Sequence, residues 1–281
     1  MPKLLFTPGI YDGQVAIITG GGTGIGLTVA REMSALGAKV AICGRRPEPL
    51  AEAAASIGGD VFHDTCDIRD PDSIKEYVDK VLAKFGRVDV LVNNAGGQFP
   101  SPAQHLSPRG FEAVVRNNLL GTWNFTHAVA NQAFIPQKSG RIVNVIAQVA
   151  RGFPGMAHTG AARAGVANLT KTLAVEWAQF GVRVNAVAPG VIRTSGLDQY
   201  PPELLKNAVR AAPVRRLGAP EEVSHLIVYL GSTYADFVTG QIMYIDGGAS
   251  LWGDQWPIPD DVPQHPPYPF PGEASAEESG D

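Results

Sequence analysis

Thr19-Gly20-Gly21-Gly22-Thr23-Gly24-Ile25-Gly26 is the stretch on which the fold turns. The apolar, β-branched run Val15-Ala16-Ile17-Ile18 leads into it. Behind it Ile25, Val29, Met33 and Leu36 fall on one helical face, until Gly37 supplies a stop. A dinucleotide pyrophosphate needs strand, glycine turn and helix in that order. Glycines allow a tight turn and close backbone approach, and the helix N-terminus offers unpaired N–H groups with a favourable dipole. A plain strand-to-helix turn does not require five glycines between positions 20 and 26.

Outward from this turn, short apolar runs alternate with helical-period segments from residue 14 to residue 245. That order implies crossover connections and a parallel sheet. The predicted strands are 15–19, 40–43, 61–66, 88–93, 141–145, 183–188 and 241–245. Stripes at Ile74, Val78, Val81 and Phe85, and at Val166, Leu169, Leu173 and Trp177, mark helices that face a core. Two long helices are expected over 107–133 and 158–180. The predicted class is α/β, a Rossmann-type doubly wound parallel sheet of seven strands with helices on both faces. With no repeat and no internal linker, residues 1–253 read as one dinucleotide-binding and catalytic domain. Residues 254–281 hold seven prolines, seven acidic residues and no Lys or Arg, and read as a tail, either an extended strap or a mobile one.

Composition excludes several functions. With 23 Lys plus Arg against 27 Asp plus Glu, the formal charge is −4, without the basic footprint of a nucleic-acid binder. Of the 281 residues 44% are hydrophobic and 18% charged, the balance of a packed globular chain. No apolar run reaches the ~18 residues of a membrane span, and Pro2, Thr7, Pro8 and Asp12 interrupt the N-terminus where a signal peptide would be apolar. Ser279-Gly280-Asp281 is not a peroxisomal address, so a cytoplasmic location is expected. Cys43 and Cys66 cannot build a disulfide framework, and His63, His105, His127, His225 and His265 show no ligand spacing; no metal site is expected.

The second strand ends Cys43-Gly44-Arg45-Arg46, with no carboxylate to accept from a ribose 2′-hydroxyl. Arg45 and Arg46 instead offer guanidinium donors to a 2′-phosphate, which favours NADP(H), solvated surface arginines being the competing reading. Asp67, followed by Ile68 after the third strand, is placed to meet the adenine.

Together with Asn93-Asn94-Ala95-Gly96 and Pro189-Gly190, these motifs resemble the short-chain dehydrogenase/reductase family over residues 10 to 252. The resemblance implies cofactor contacts from Thr19, Gly20, Gly22, Thr23, Gly24, Ile25, Gly26, Asn94, Ala95, Gly96, Pro189, Gly190 and Ile192, and a dimer or homo-tetramer paired through the two long helices. In the family an Asn on the helix after the fourth strand, a Ser, a Tyr and a Lys carry the proton chemistry. Asn118 fits the Asn. Thr159 stands at the Tyr position, Arg163 at the Lys position and Ile146 at the Ser position.

A phenol titrates near pH 10 and can be tuned downward, whereas an aliphatic hydroxyl supplies no anionic base near neutrality. Alcohol oxidation is therefore disfavoured. Arg163 can still bind the nicotinamide ribose. A reaction needing hydride but little acid assistance is conjugate reduction of an α,β-unsaturated thioester, in which fixed donors hold an enolate oxygen.

The stretches 93–105 and 158–171 resemble more narrowly the peroxisomal trans-2-enoyl-CoA and dienoyl-CoA reductase branch. That resemblance implies an acyl-CoA substrate, Asn118 as polar organiser, and Thr159 as a hydroxyl donor, with a helix N-cap as its other reading. His158 is a candidate proton donor to the α-carbon. Gln98 and Phe99 are candidate contacts for the acyl chain or thioester. A lid is expected over 191–212, with Arg210, Arg215 and Arg216 reaching coenzyme A phosphates or forming surface charge. A carbonyl or 3-oxoacyl reductase with another proton donor, and a cofactor-binding protein without redox turnover, are the alternatives.

Overall fold

The computed structural model describes residues 6–251 and 256–264. In chain order the elements are β1 (Val15–Thr19), α1 (Gly24–Ala35), β2 (Lys39–Gly44), α2 (Pro47–Ile57), β3 (Val61–Thr65), α3 (Pro71–Phe85) and β4 (Val90–Asn93). Three helical pieces follow, α4 (Pro108–Val115), α5 (Gly121–Val129) and α6 (Ile135–Gln137), joined by π-turns at Arg116–Leu120 and Ala130–Phe134. The chain continues through β5 (Gly140–Val145), α7 (Ala157–Glu176), β6 (Val182–Pro189), α8 (Pro202–Ala211), α9 (Pro220–Gly231) and β7 (Ile242–Ile245).

All seven strands pair in parallel, in the order β3-β2-β1-β4-β5-β6-β7. The expected doubly wound sheet is therefore present, with strand ends within a residue or two of the predicted ones. Its order reverses between β1 and β4, where open α/β sheets place ligands beyond the strands' C-terminal ends.

Period-2 alternation separates two cores. Ala16, Ile18, Val40, Ile42, Val90 and Val92 face α1 and α9, through Val29, Met33, Val223 and Ile227. Ile17, Ala41, Leu91 and Ile142 face the other way, onto Ile74, Val78, Phe125 and Val129. Strands buried on both faces read as continuous apolar runs, which is why β1 and β4 were legible. Asp70 accepts from Asp72 N at 3.0 Å to cap α3, and Gly86 ends it in the left-handed region.

Three features depart from the sequence reading. The expected helix 107–133 is interrupted twice by π-turns and continues to Gln137. The next long helix starts at Ala157, one residue early, and closes with a 3₁₀ turn at Ala178–Phe180. The lid is split into a 3₁₀ turn at Ser195–Gln199 and the helix α8. The tail lies partly outside the described residues. Its described part, 256–264, is extended against the lid's exit: Arg215 Nη2 donates to Ile258 O at 2.7 Å, and Gln264 Nε2 to Val214 O at 3.0 Å. Among the described residues no helix is long and apolar enough to cross a membrane.

Candidate active site

A cleft of about 430 Å³ opens at the C-terminal ends of β1, β2 and β4, walled by Gly20, Gly22, Thr23, Gly44, Arg45, Arg46, Ile68, Asn94, Ala95, Gly96 and Asn117 among others. The glycine turn is tied to the turn after β4. Thr19 Oγ1 accepts from Asn94 N and Ala95 N, both at 3.0 Å, and Asn94 Nδ2 donates to Thr19 O at 3.0 Å. Thr19 is thus buried beneath the cleft and shapes it, rather than lining it. Gly26 is required by close approach: a Cβ there would run into Gly20 O and Asn94 Nδ2.

On the adenosine side Cys66 and Ile68 reach the wall, while the Asp67 carboxylate is clamped by Arg69 through Nε at 2.9 Å and Nη2 at 2.5 Å. That hydrogen bonding holds the Asp67 carboxyl below its ordinary range. Past β6, Gly190 N donates to Ile245 O at 3.0 Å, so Pro189-Gly190 is seated against the end of β7. Ile192 bridges Gly218 and packs in the core.

Gly96 sits at the junction of the catalytic candidates. A Cβ there would strike Arg163 Nη2 and Asn118 Oδ1, so only glycine lets both side chains converge on this turn. Arg163 is nearly buried, its Nη1 donates to Val145 O at 2.9 Å, and among the described residues no carboxylate pairs with it. Burial lowers its pKa to about 10, which still leaves the guanidinium charged at neutral pH. Such a cation calls for a polar ligand. The glycine cradle and this cation together fit a dinucleotide.

Asn118 stands in the first π-turn. Its Nδ2 donates to Gly97 O at 2.7 Å and Val114 O at 3.0 Å, and its Oδ1 accepts from Gly97 N at 3.2 Å. Both amide protons are therefore occupied within the protein.

Two positions differ from expectation, and a third, Ile146, stands as the sequence implies. Thr159 is not a cap: the N-cap is Met156, without a side-chain bond, and Thr159 lies wholly buried in the first turn. Its N–H donates to His158 Nδ1 at 2.7 Å and its hydroxyl lies 3.1 Å from the same nitrogen. His158, expected at the substrate, is also wholly buried one layer behind Phe99, with ring centroids 4.7 Å apart in an edge-on contact. Burial lowers its pKa, opposed by hydrogen bonding to the Met156 and Phe99 backbone. Ile146 belongs to an apolar cluster with Val166, Ala186 and Ala188, so no hydroxyl occupies the Ser position. Arg215 and Arg216 are committed elsewhere, Arg215 to the tail and Arg216 to Glu222 at 2.7 Å.

Sequence reasoning missed the buried relay that orients α7. Asn93 Nδ2 donates to Thr126 Oγ1 at 2.8 Å and to Asn144 Oδ1 at 2.9 Å, and Asn144 Nδ2 donates to Thr170 Oγ1 at 2.9 Å. The missed signal was two asparagines at matching register in adjacent apolar strands, β4 and β5. It also missed Tyr200, whose hydroxyl accepts from Gln98 Nε2 at 3.2 Å. Gln98 is half-buried, whereas Phe99 is 40% exposed and offers apolar surface at the mouth.

Residues 20–250 match the family model described as enoyl-(acyl carrier protein) reductase. The peroxisomal 2,4-dienoyl-CoA reductase of Danio rerio is 37% identical over 259 residues, 88% of this chain and 85% of the relative. The 3-oxoacyl-[acyl-carrier-protein] reductase of Thermotoga maritima is 39% identical over 241 residues, 84% and 98% respectively. Among solved structures, the citronellol catabolism dehydrogenase of Pseudomonas aeruginosa PAO1 superposes with a TM-score of 0.80 at 45% identity, covering 88% of this chain and 99% of that one. With the glycine turn, the Asn-Asn-Ala-Gly turn and the seven-stranded sheet in place, the chain belongs to the short-chain dehydrogenase/reductase family of nicotinamide-dependent oxidoreductases.

Proposed function

We propose that this oxidoreductase uses NADPH to saturate the α,β double bond of a 2-enoyl thioester, with coenzyme A as the carrier. One observation carries the reading: a whole dinucleotide cleft adjoins a proton-transfer position filled by buried Thr159 and apolar Ile146. The reduced nicotinamide supplies hydride to the β-carbon. Within the chain, Gly20, Gly22, Thr23, Gly24, Ile25 and Gly26 cradle the pyrophosphate, Asn94-Ala95-Gly96 flanks it, and Arg163 binds the ribose beside the nicotinamide. Arg45 and Arg46, on the cleft wall where an NAD-selective site has a carboxylate, favour the 2′-phosphate. Asn118 fixes the turn at Gly97, and His158, itself bonded by Thr159, supports Phe99 from behind.

Conjugate reduction suits this set because the negative charge moves to the thioester oxygen, where donors can hold it, and no alkoxide needs protonating. The dienoyl-CoA reductase relatives support the thioester. The 3-oxoacyl reductase relative favours carbonyl reduction as the second reading. NADPH oxidation with crotonyl-, hexenoyl- and cyclohexenylcarbonyl-CoA, against ketone and alcohol controls, separates the two. Turnover of the unsaturated thioesters is expected, and turnover of ketones alone rejects the proposal.

A further inference from the structure

Three consecutive residues after β4 are each held by a different element. Gly97 is bound by Asn118 on the π-turned helix, Gln98 by Tyr200 in the lid, and Phe99 by His158 on α7. Only the middle attachment belongs to the segment expected to form the lid. The lid leaves β6 through the Ile192–Gly218 bridge and passes Thr194, whose methyl lies where a Cβ on Gly24 of the phosphate turn would touch it. It reaches Tyr200 at the end of the Ser195–Gln199 turn.

Arg163 aside, which the reading above commits to the cofactor ribose, the side-chain donors nearest Gly96 are nearly exhausted. Both Asn118 amide protons go to backbone carbonyls, Thr159 is sealed against His158, and Ile146 has no polar atom. The other described tyrosines are engaged elsewhere: the Tyr11 hydroxyl donates to Val228 O, Tyr77 lies in the core, Tyr229 and Tyr244 flank a groove between α9 and β7, and Tyr234 is exposed in the turn after α9. Tyr200 is the described tyrosine whose hydroxyl bonds to the loop, and it does so as acceptor. A phenol is donor and acceptor at once, so its own proton remains available to a ligand.

The geometry points to Tyr200 as the lid-borne hydrogen-bond donor to the substrate's thioester oxygen, with Gln98 as its positioning residue. The assignment rests on the enoyl-thioester reading above. As the β-carbon gains hydride, the π electrons shift to the carbonyl oxygen. The phenol holds that oxygen and keeps its own proton, and the α-carbon takes a proton from water as the carbonyl re-forms. A donor aimed at developing charge gains strength in the transition state.

The test compares the full chain with Y200F and Q98A. It measures NADPH affinity by fluorescence, butyryl-CoA affinity in the presence of NADP⁺ by calorimetry, and kcat and KM on crotonyl-CoA. Y200F is expected to lower kcat at least tenfold or weaken butyryl-CoA about fivefold with NADPH affinity unchanged, and Q98A to fall between Y200F and the parent. Parental values for both quantities in Y200F overturn the assignment. A parallel fall in NADPH affinity, the mark of a collapsed lid, also overturns it. Tyr200-dependent butyryl-CoA binding without crotonyl-CoA turnover in the parent upholds the contact and rejects the proposed reaction alone. No thioester binding by the parent rejects both.

Discussion

Arg163 shows what single residues contribute here. A guanidinium taken out of water with one carbonyl partner is costly unless a ligand completes its surroundings, and Arg163 meets Asn118 across Gly96 with no carboxylate among the described residues to neutralise it. Arginine at this position keeps the charge and gives up the proton chemistry open to lysine. At the other end of the cleft, Arg45 stands where charge decides between cofactors. Arg45→Asp is expected to weaken NADPH about tenfold, roughly 1.4 kcal/mol, and to bring NADH affinity up to or above it, as read by nicotinamide fluorescence titration. Unchanged preference would leave Arg45 as surface charge. The sequence displayed both arginines and the missing Tyr-Lys pair. It did not display that His158 and Thr159 point into the protein, because adjacent helical residues differ in direction by an angle that only the docking of α7 settles. Nor did it single out Tyr200, since a lone tyrosine in a proline-flanked lid has no periodicity to mark it.

Among elements, α1 and α9 are joined by a buried polar contact that catalysis does not use. Ser224 Oγ donates to Glu32 Oε2 at 2.5 Å, and His225 Nε2 lies 3.6 Å from Oε1. Burial, reinforced by Glu221 and opposed by the Ser224 bond, pushes the Glu32 carboxyl up to about 7. Below the ordinary carboxyl value both folded and unfolded chains hold this proton. Between about 4.5 and 7 the unfolded chain releases it and the folded one does not, so stability falls as pH rises through that window and the loss is complete above it. Glu32→Gln keeps an acceptor for Ser224 and removes the charge. Its melting temperature is expected to match the parent's near pH 4.5 and exceed it near pH 8, by up to about 3 kcal/mol in stability. An equal gap at both pH values would show that the carboxyl titrates normally.

Strands and most helices at this scale were readable because sheet burial on both faces leaves unbroken apolar runs and amphipathic stripes stay in phase. The two π-turns were not, since apolar spacing read at 3.6 residues passes through one widened turn without a visible break.

For the molecule as a whole, the cleft forms at the C-terminal ends of the strands, while the expected lid and the tail pack on each other from a separate stretch of chain. The lid's exit is held from outside. Arg215, in the left-handed region at φ 55°, donates to Ile258 O and Pro259 O of the strap, and Gln264 reaches back to Val214. A chain ending at Leu251 is expected to show faster amide exchange across Pro202–Ala211 with strand protection unchanged. Equal protection of α8 in both forms would mean that the strap does not restrain the lid. The composition of the tail left open an extended strap or a mobile segment. Its landing place was not legible, because backbone carbonyls accepting from one arginine leave no pattern in side-chain sequence.

The π-turn at Arg116–Leu120 makes the rod carrying Asn118 a phase shifter. Each widened turn carries one residue more than a regular one, so excising a residue there would swing everything downstream by roughly 100°. Phe125 and Val129, now inside, would rotate toward solvent, and the carboxamide would lose its inward aim together with them. Polar anchor and apolar seam are thus geared to one another, and insertions or deletions in this segment cannot alter the first without unseating the second.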